Sequence, residues 1–454
     1  MDNWSKATIG DLCDQGEALI QTGPFGSQLH AHDYEPIGIP VIPTEAIGRR
    51  RLHTEGIPKV SANTVQRLSR HKLKEGDILF ARRGVQATGL SAIVEKGHEG
   101  WLCGTGAILL RLNSTDIDAK FLSFALSSEA STAWLKAHAV GAVMPNLNEG
   151  VIRRFPLLLP PIKEQQSIAH ILGTLDDKIE LNRRMNETLE AMARALFKSW
   201  FVDFDPVRAK AENRQPAGMN ADTAALFPSS FDESPLGAIP KGWTREQMSA
   251  LAQLEKGISY KGDFLSEDGM PMINLGCFIG SGKFSIDRLK FYKGDFKERH
   301  IVCSGDIVVA NTDITQKSEV LGSPAIIPPF RNQNKFIFTH HVFAIRINLS
   351  HEHLRLIMFF SLLQPHFRER AVGFATGTTV LALPKDAILN HSIVLPNIKL
   401  INVFNDKIEP LLALTYKSIE QSHTLALLRD ALLPKLLSGE IRVREAEREV
   451  EQVV

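Results

Sequence analysis

The sequence predicts an α+β fold in which two mixed α/β domains form an internal repeat and are separated by two long antiparallel helices that form a coiled coil. Three observations predict this fold. A long amphipathic segment lies in mid-chain, a second segment repeats it near the end, and each follows a region of short strand-like runs. A long amphipathic helix needs a partner that covers its apolar stripe, so the two segments are expected to pack together.

The first long helix is predicted to follow Pro160-Pro161 and to extend over 163–202. Proline cannot continue a helix interior, and after this pair no proline occurs before Pro206. A helix of about 40 residues is roughly 60 Å long at about 1.5 Å per residue. Apolar residues recur at heptad spacing, with interruptions at Lys178 and Asn182, in the set Ile168, Ile171, Leu175, Met185, Leu189, Met192 and Leu196.

The second long helix is predicted over 399–437, because Leu395-Pro-Asn-Ile-Lys399 repeats Leu159-Pro-Pro-Ile-Lys163 with a shift of 236 residues. The same shift, without a gap, places apolar residues on apolar residues along both segments. The chain therefore contains two copies of one unit, each ending in a long helix. Two unrelated surface helices are the alternative, which the gapless match disfavours. The residues predicted to pack in the coiled coil are Leu175, Leu189, Leu196, Leu411, Leu425 and Leu432.

Five segments follow from this repeat. The first copy has a mixed domain and its helix, a Pro-rich connector without periodicity comes next, and the second copy opens at Trp243 as the first opens at Trp4. The predicted boundaries are 1–158 for the first domain, 159–205 for the first helix, 206–242 for the connector, 243–394 for the second domain, and 395–454 for the second helix and C-terminal tail.

Each domain contains a Gly-Asp turn that leads into an apolar strand, over Ile78–Ala81 in the first copy and Ile307–Ala310 in the second. A later strand ending in arginine also matches between the copies. The residues after the Gly-Asp strand differ, however, since 82–88 reads RRGVQAT and 311–317 reads NTDITQK. Similar scaffolds with different loops predict two modules that recognise two different targets.

Composition limits the function classes. The chain has 454 residues, 44% of them hydrophobic and 23% charged, which is typical of a globular protein with two to four domains. No apolar run is long enough to span a membrane, and no signal peptide is evident at the start. Four widely separated cysteines favour reduced thiols, so we expect a cytoplasmic protein. The net charge of only +1 argues against an independent nucleic-acid binder unless basic residues cluster or a partner contributes.

Catalytic motifs are missing from the sequence. The stretch Cys277–Phe284 comes near a phosphate-binding loop but lacks its first glycine and its final hydroxyl. An amino-methyltransferase motif would need an amide or carboxylate before Pro328-Pro329-Phe330, where Ile327 stands instead. Adjacent histidines such as His340 and His341 point to opposite faces of a strand and are poor candidates for one metal site. We therefore expect a non-catalytic chain without a metal or cofactor of its own.

Basic, amide and hydroxyl residues concentrate on the predicted loops. Arginine and lysine neutralise phosphates, arginine can bind guanine in bidentate fashion, and asparagine or glutamine can bind adenine. For each residue the alternative is a solvated surface side chain. The candidate DNA-binding residues are Arg49, Arg50, Arg51, Arg82, Arg83, Gln86 and Thr88 in the first copy, and Lys256, Lys261, Asn311, Thr312, Gln316 and Lys317 in the second.

Three motifs resemble the specificity (S) subunit of type I restriction-modification enzymes. They are Gly23-Pro-Phe-Gly-Ser-Gln28, Leu159-Pro-Pro-Ile-Lys-Glu-Gln-Gln166 and the run FKSWFVDFDP at 197–206, and the resemblance covers nearly the whole chain. The second copy departs from this pattern, since Leu395-Pro-Asn lacks the second proline and Glu-Gln-Gln, and no close match to the Gly-Pro-Phe-Gly loop occurs there.

The resemblance implies a function and partners. Each domain would be a target-recognition domain that binds one half of a split, asymmetric DNA site in the major groove. The two helices would set the distance between half-sites and dock two methyltransferase (M) subunits, and restriction (R) subunits would join the complex. S-adenosylmethionine would be bound by the methyltransferase partner and not by this chain.

Two other classes of function stay open at this stage. A single-chain DNA methyltransferase or restriction enzyme would need a cofactor loop or metal site, which the motif search does not find. A coiled-coil scaffold without DNA contact would leave the large domains with divergent loops unexplained.

Overall fold

The protein, as a computed structural model, is described over residues 4–25, 28–84, 86–141, 145–233, 237–280, 282–315, 318–330 and 333–453. The chain forms two compact units. Unit 1 comprises Met1–Leu181 and Ser422–Val454, and unit 2 comprises Asn182–Gln421. Each long helix therefore contributes one half to each unit. No helix among the described residues is long and apolar enough to cross a membrane.

Unit 1 contains two four-stranded sheets and a separate strand pair. The first sheet is antiparallel and has the order Ala18–Thr22, Ala107–Leu112, Ile78–Ala81 and Ser91–Ile93. The second has the order Tyr34–Glu35, Lys59–Val60, Ile39–Ile42 and Leu102–Cys103. The pair joins Ser5–Thr8 to Pro156–Leu159. Strand Ile78–Ala81 is buried along its whole length, as its apolar sequence predicts.

The short helices of unit 1 begin mostly at polar capping residues. The side chains of Thr8, Ser61, Asp118, Ser128 and Asn148 each accept a backbone N–H three residues later, which satisfies a donor that the helix leaves free. The helices span Ile9–Asp14, Ala62–Arg67, Ala119–Leu126, Glu129–His138, Glu149–Arg153 and, near the C-terminus, Val443–Glu451.

Unit 2 repeats the first sheet of unit 1 with the same strand order. Its strands are Ala252–Lys256, Val342–Ile347, Ile307–Ala310 and Pro324–Ile326. The second sheet has five strands, in the order Leu265–Ser266, Lys290–Tyr292, Met270–Ile273, Lys335–Phe338 and Ile301–Cys303. The outer pair is Thr244–Gln247 with Ser392–Leu395. The predicted internal repeat is confirmed by this shared topology.

The remaining elements of unit 2 include folded parts of the predicted connector. Phe227, which lies in 206–242, is fully buried in the core of unit 2. Two further strand pairs join Phe231–Asp232 to Ile239–Pro240 and Thr312–Asp313 to Leu381–Ala382. The short helices span Asp205–Ala211, Ala221–Ala225, Met248–Leu251, Arg355–Leu362, Pro365–Gly373 and Lys385–Leu389.

The two long helices span Ile162–Phe201 and Ile398–Ser438. The second one continues through Pro410 and Pro434, although each proline removes a backbone N–H from the helix ladder. In unit 1 the beginning of the first helix shares a core with the end of the second. In unit 2 the end of the first shares a core with the beginning of the second. The predicted antiparallel packing of the two helices is thus confirmed within each unit.

The predicted leucines of the apolar seam are buried or partly buried, whereas the predicted methionines are exposed. Among the predicted residues, Leu175, Leu425 and Leu432 are fully buried, and Leu189, Leu196 and Leu411 are partly buried. The prediction was wrong for Met185 and Met192, whose exposed fractions are 38% and 53%. The buried residue next to Met192 lies one position further on, at Ala193, and Phe197 and Trp200 continue the buried side of the helix. Both spacings fit a heptad, because the gap of four residues can come before or after the gap of three.

Asn182 lies within this seam and is buried. Its Nδ2 donates to the carbonyl oxygen of Ser418 at 3.4 Å and to Oε1 of Gln421 at 3.0 Å. Ser418 is the residue that the internal repeat aligns with Asn182, since 182 + 236 = 418. The interruption in the heptad pattern is therefore a polar contact between equivalent positions of the two helices. Single polar residues of this kind fix the register of a coiled coil.

Candidate nucleic-acid interface

In both copies an Asp–Arg pair holds the strand that carries the divergent loop. Asp77 accepts the Lys74 backbone N–H at 2.7 Å and forms two hydrogen bonds with Arg111, at 2.6 and 2.7 Å. The bond to Asp77 raises the pKa of the Arg111 guanidinium. In the second copy Asp306 accepts the Cys303 N–H at 2.9 Å and lies 3.5 Å from Arg346. In each copy, therefore, the aspartate of the Gly-Asp turn pairs with the arginine near the end of the later strand.

The loop of the first copy exposes two of its predicted residues. Arg83 and Gln86 are exposed, whereas Arg82 is half-buried and its Nε donates to Oδ1 of Asn146 at 3.1 Å. Thr88 is buried, and its hydroxyl donates to the carbonyl oxygens of Gly84 and Pro145. Thr88 therefore holds the loop in shape and is not placed to contact DNA. This corrects its assignment, and the cause is that a threonine hydroxyl can close its own loop.

A cleft of about 270 Å³ adjoins Arg83. Its wall needs residues without side chains, because a Cβ at Gly106 would lie 1.8 Å from Oγ1 of Thr44. A Cβ at Gly23 would similarly lie 1.9 Å from the carbonyl oxygen of Gly104. The glycine that opens the Gly-Pro-Phe-Gly loop is therefore required by close backbone packing beneath the cleft.

Two further arginines border the Gly-Pro-Phe-Gly loop, whose residues 26 and 27 lie outside the described part of the chain. Arg67 donates to the Gln28 carbonyl oxygen and to Asp33, both at 2.6 Å. Arg70 lies 3.4 Å from Oε1 of Gln28. The backbone N–H of His30, with help from Arg67, holds the pKa of the Asp33 carboxyl below its usual value. The sequence marked both arginines as basic, but only the fold shows that they adjoin this loop.

The arginine cluster at 49–51 divides into one surface residue and two that contact the first long helix. Arg49 is exposed, and its Nε donates to the Ser127 carbonyl oxygen. Arg50 is only 7% exposed and pairs with Asp176, so its guanidinium is not available to DNA. Arg51 is half-buried and pairs with Glu180 at 3.1 Å. The prediction of a DNA-binding cluster is corrected for Arg50, because its partner lies 126 residues away in the sequence.

The predicted DNA-binding residues of the second copy also include both buried and exposed side chains. Asn311 is buried and its Nδ2 donates to the His340 carbonyl oxygen, so its assignment as a DNA contact is corrected. Thr312 is half-buried, with its hydroxyl 2.8 Å from Nδ1 of His341. Burial, and then the positive neighbours His340 and Lys256, lower the pKa of His341. Lys256 and Lys261 are exposed, whereas Gln316 and Lys317 lie outside the described residues.

Sequence reasoning missed Asp313, which organises the second loop. Its carboxylate is fully buried and accepts hydrogen bonds from the backbone N–H groups of Thr315, Val320 and Leu321 and from the Thr315 hydroxyl. Burial alone would raise the pKa of Asp313, but these donors outweigh burial and lower it. The spacing Asp-x-Thr is a turn signal that could have identified this residue.

The exposed side chains of the two loops can bind phosphates and base edges. Within the described ranges, no cluster of three His, Cys, Asp or Glu residues is arranged to hold a metal ion. The arrangement thus offers recognition through arginine, lysine and amide groups on rigid sheets.

Comparisons show which known proteins the chain is similar to. Residues 1–191 match the family model of the type I restriction modification DNA specificity domain. The HindI type I restriction enzyme specificity subunit of Haemophilus influenzae is 28% identical over 427 residues, covering 81% of this chain and 87% of that protein. The MjaIX specificity subunit of Methanocaldococcus jannaschii is 28% identical over 338 residues, covering 72% and 70%.

A crystal structure has a similar fold. The S subunit of a type I restriction-modification system from M. genitalium aligns over 96% of both chains, with a TM-score of 0.54 and 14% identity.

Proposed function

Because the chain belongs to the type I restriction-modification specificity family, we propose that it is the sequence-specific DNA-recognition subunit of a type I restriction-modification complex. In this proposal the domains at 1–158 and 243–394 are target-recognition domains. Each one reads one half of a bipartite, asymmetric DNA site.

One observation carries the proposal: the same sheet, stabilised by the same Asp–Arg pair, presents two loops of different chemistry. The first loop exposes Arg83 and Gln86, and the second copy exposes Lys256 near Thr312 and His341. Recognition of two different half-sites requires this combination of a constant scaffold and variable polar ends.

The proposed partners follow from what the chain lacks. A net charge of +1 leaves much of the phosphate neutralisation to other subunits. Two methyltransferase subunits that bind S-adenosylmethionine would dock on the long helices, and restriction subunits would join them. The chain itself would be non-catalytic and would need no cofactor. DNA recognition also favours the predicted cytoplasmic location.

The experiment maps methylated positions in genomic DNA from cells with and without this gene. Methylation should appear at a two-part motif only when the gene is present. Replacement of 1–158 by the corresponding domain of a relative should change one half of the motif, and replacement of 243–394 should change the other half. A change in both halves after either replacement, or methylation independent of the gene, would contradict the proposal.

A further inference from the structure

We propose that Arg50, Asp176 and Arg429 form a positioning lock that fixes the direction of the first recognition domain on the long helices and thereby restricts the accepted spacing between half-sites. The inference rests on the proposed function and assigns these three residues a part in specificity without contact to DNA.

Arg50 joins the domain to the lock through its backbone. It lies in the loop between the bridged residues Ile47 and Leu52, and its own backbone bridges to Ala92 in the edge strand Ser91–Ile93 of the first sheet. Its N–H donates to the Ser91 carbonyl oxygen at 2.7 Å. The φ angle of 72° is rare for a residue with a side chain, so the loop holds Arg50 in a defined conformation.

Asp176 connects this arginine to both long helices. Its Oδ2 lies 3.1 Å from Nε of Arg50, and its Oδ1 lies 2.5 Å from Nη1 of Arg429 on the second long helix. The three side chains are only 9–11% exposed. Arg51 adds a second connection, since it donates to the Asp176 carbonyl oxygen and pairs with Glu180. One carboxylate thus receives one guanidinium from the domain and one from the facing helix.

The three charged side chains are suited to fixing the orientation of the domain on the helices more than to stabilising the fold. A buried ion pair seldom adds net stability, because the loss of hydration offsets much of the attraction. The bond directions of a guanidinium and a carboxylate are narrow, however, whereas apolar packing is non-directional. The apolar core of unit 1 holds the domain to the helices, and the triad selects one orientation of that contact.

The second copy shows that the fold does not require these charges. The repeat aligns Asp176 with Leu412 and Arg429 with Ala193. The corresponding loop, between the bridged residues Phe278 and Phe284, has Gly282, with a φ of 85°, two residues before Phe284, as Arg50 stands two residues before Leu52. A Cβ at Gly282 would lie 2.6 Å from Nη2 of Arg194, so this loop meets the first long helix without a side chain. The lock is therefore a feature of the first copy.

Arg50→Gly is the decisive variant. Glycine accepts the positive φ, and the Asp176–Arg429 pair between the helices stays intact. Arg154→Ala is the control, because it removes the same charge from an exposed arginine of unit 1 that is not a candidate DNA contact. Arg50→Lys keeps the charge but loses the planar fork, and should lie between wild type and Arg50→Gly.

The assembled methyltransferase complex is tested for methylation of duplexes that carry the wild-type motif with its spacer unchanged, one base pair shorter or one base pair longer. We expect Arg50→Gly to reduce the preference for the natural spacer by about tenfold, corresponding to about 1.4 kcal/mol, with half-site base preference unchanged. Arg154→Ala should keep the natural spacer preference.

Strict spacer preference in an assembled Arg50→Gly complex would overturn the inference and leave the proposed function standing. Absence of motif-specific methylation by the wild-type complex would instead overturn the proposed function. If Arg50→Gly does not assemble, the triple variant Arg50→Gly, Asp176→Leu, Arg429→Ala reproduces the composition of the second copy and takes its place. Failure of both variants to assemble would assign the triad to folding and would also overturn the positioning role.

Discussion

Arg83 is the side chain of the first loop whose exposure and position best fit direct contact with DNA. It follows the fully buried strand Ile78–Ala81 and borders the cleft whose wall is formed by Gly104 and Gly106. The strand fixes its backbone, and Gly84, with a φ of 118°, turns the chain directly after it. Because the backbone is already fixed, binding has to order only the Arg83 side chain.

Arg83→Ala should weaken DNA binding by the assembled methyltransferase complex. A base contact would cost about 1–3 kcal/mol and relax one position of the motif, whereas a phosphate contact would lower the salt slope by about one. Binding to cognate and half-mutated duplexes at two salt concentrations distinguishes these cases. Arg153→Ala, which removes a surface arginine paired with Asp14, is the control. Wild-type affinity, specificity and salt slope in Arg83→Ala would remove this residue from the DNA site.

Residue roles could be predicted only where the cause is local in sequence. The Gly-Asp turn and the arginine-ended strand were recognised because they recur, and Asp77 with Arg111 explains why. Arg50, Thr88 and Asn311 could not be assigned, because each is a polar residue on a loop that folding turns inward. Polar residues are buried when a partner satisfies them, and the partner of Arg50 is remote in sequence.

At the scale of elements, the seam of the long helices has positions of unequal burial. Leu175 is fully buried in unit 1, whereas Leu189 is partly exposed and borders a cleft of about 340 Å³ in unit 2. The repeat treats the two leucines as the same heptad position, but their surroundings differ. The sequence could not show whether Ile171 or Leu172 belongs to the seam, because both residues are apolar. In the structure both are buried.

Leu175→Ala should therefore destabilise the protein much more than Leu189→Ala. The fully buried site should lose about 2–5 kcal/mol, the range for leucine deletions that leave a cavity. The partly exposed site should lose roughly 1 kcal/mol, because less apolar surface leaves water there. Urea unfolding of the purified chain, followed by circular dichroism, measures both values against wild type. Equal losses in the free energy of unfolding would show that the burial of a seam leucine does not determine how much it stabilises the protein.

At the scale of the whole molecule, the internal repeat was the feature most readily predicted. The two long segments match without a gap at a shift of 236 residues, which requires both to keep the same helical periodicity. The two units also share a sheet order. The folding of the predicted connector was not visible, because its elements are short and its core residues, such as Val207 and Phe227, recur without a period. A Pro-rich composition alone does not show whether a segment packs against a neighbouring core.

The length of the paired helices should act as a ruler for the DNA site. Removal of seven residues from each long helix, from the facing segments around Asn182 and Ser418, preserves the heptad phase and shortens the pair by about 10 Å. The spacing of the methylated half-sites should then change by roughly three base pairs at about 3.4 Å per pair, or activity should be lost. Replacement of the same residues by another heptad of equal length is the control, and it should leave the spacing as it was. Removal of four residues instead should abolish assembly, because it turns apolar positions out of the seam. Sequencing of methylated genomic sites reads the spacing directly. A shortened protein that stays active on the original spacing would refute the ruler, because the distance between the recognition domains would then be independent of the helices that join them.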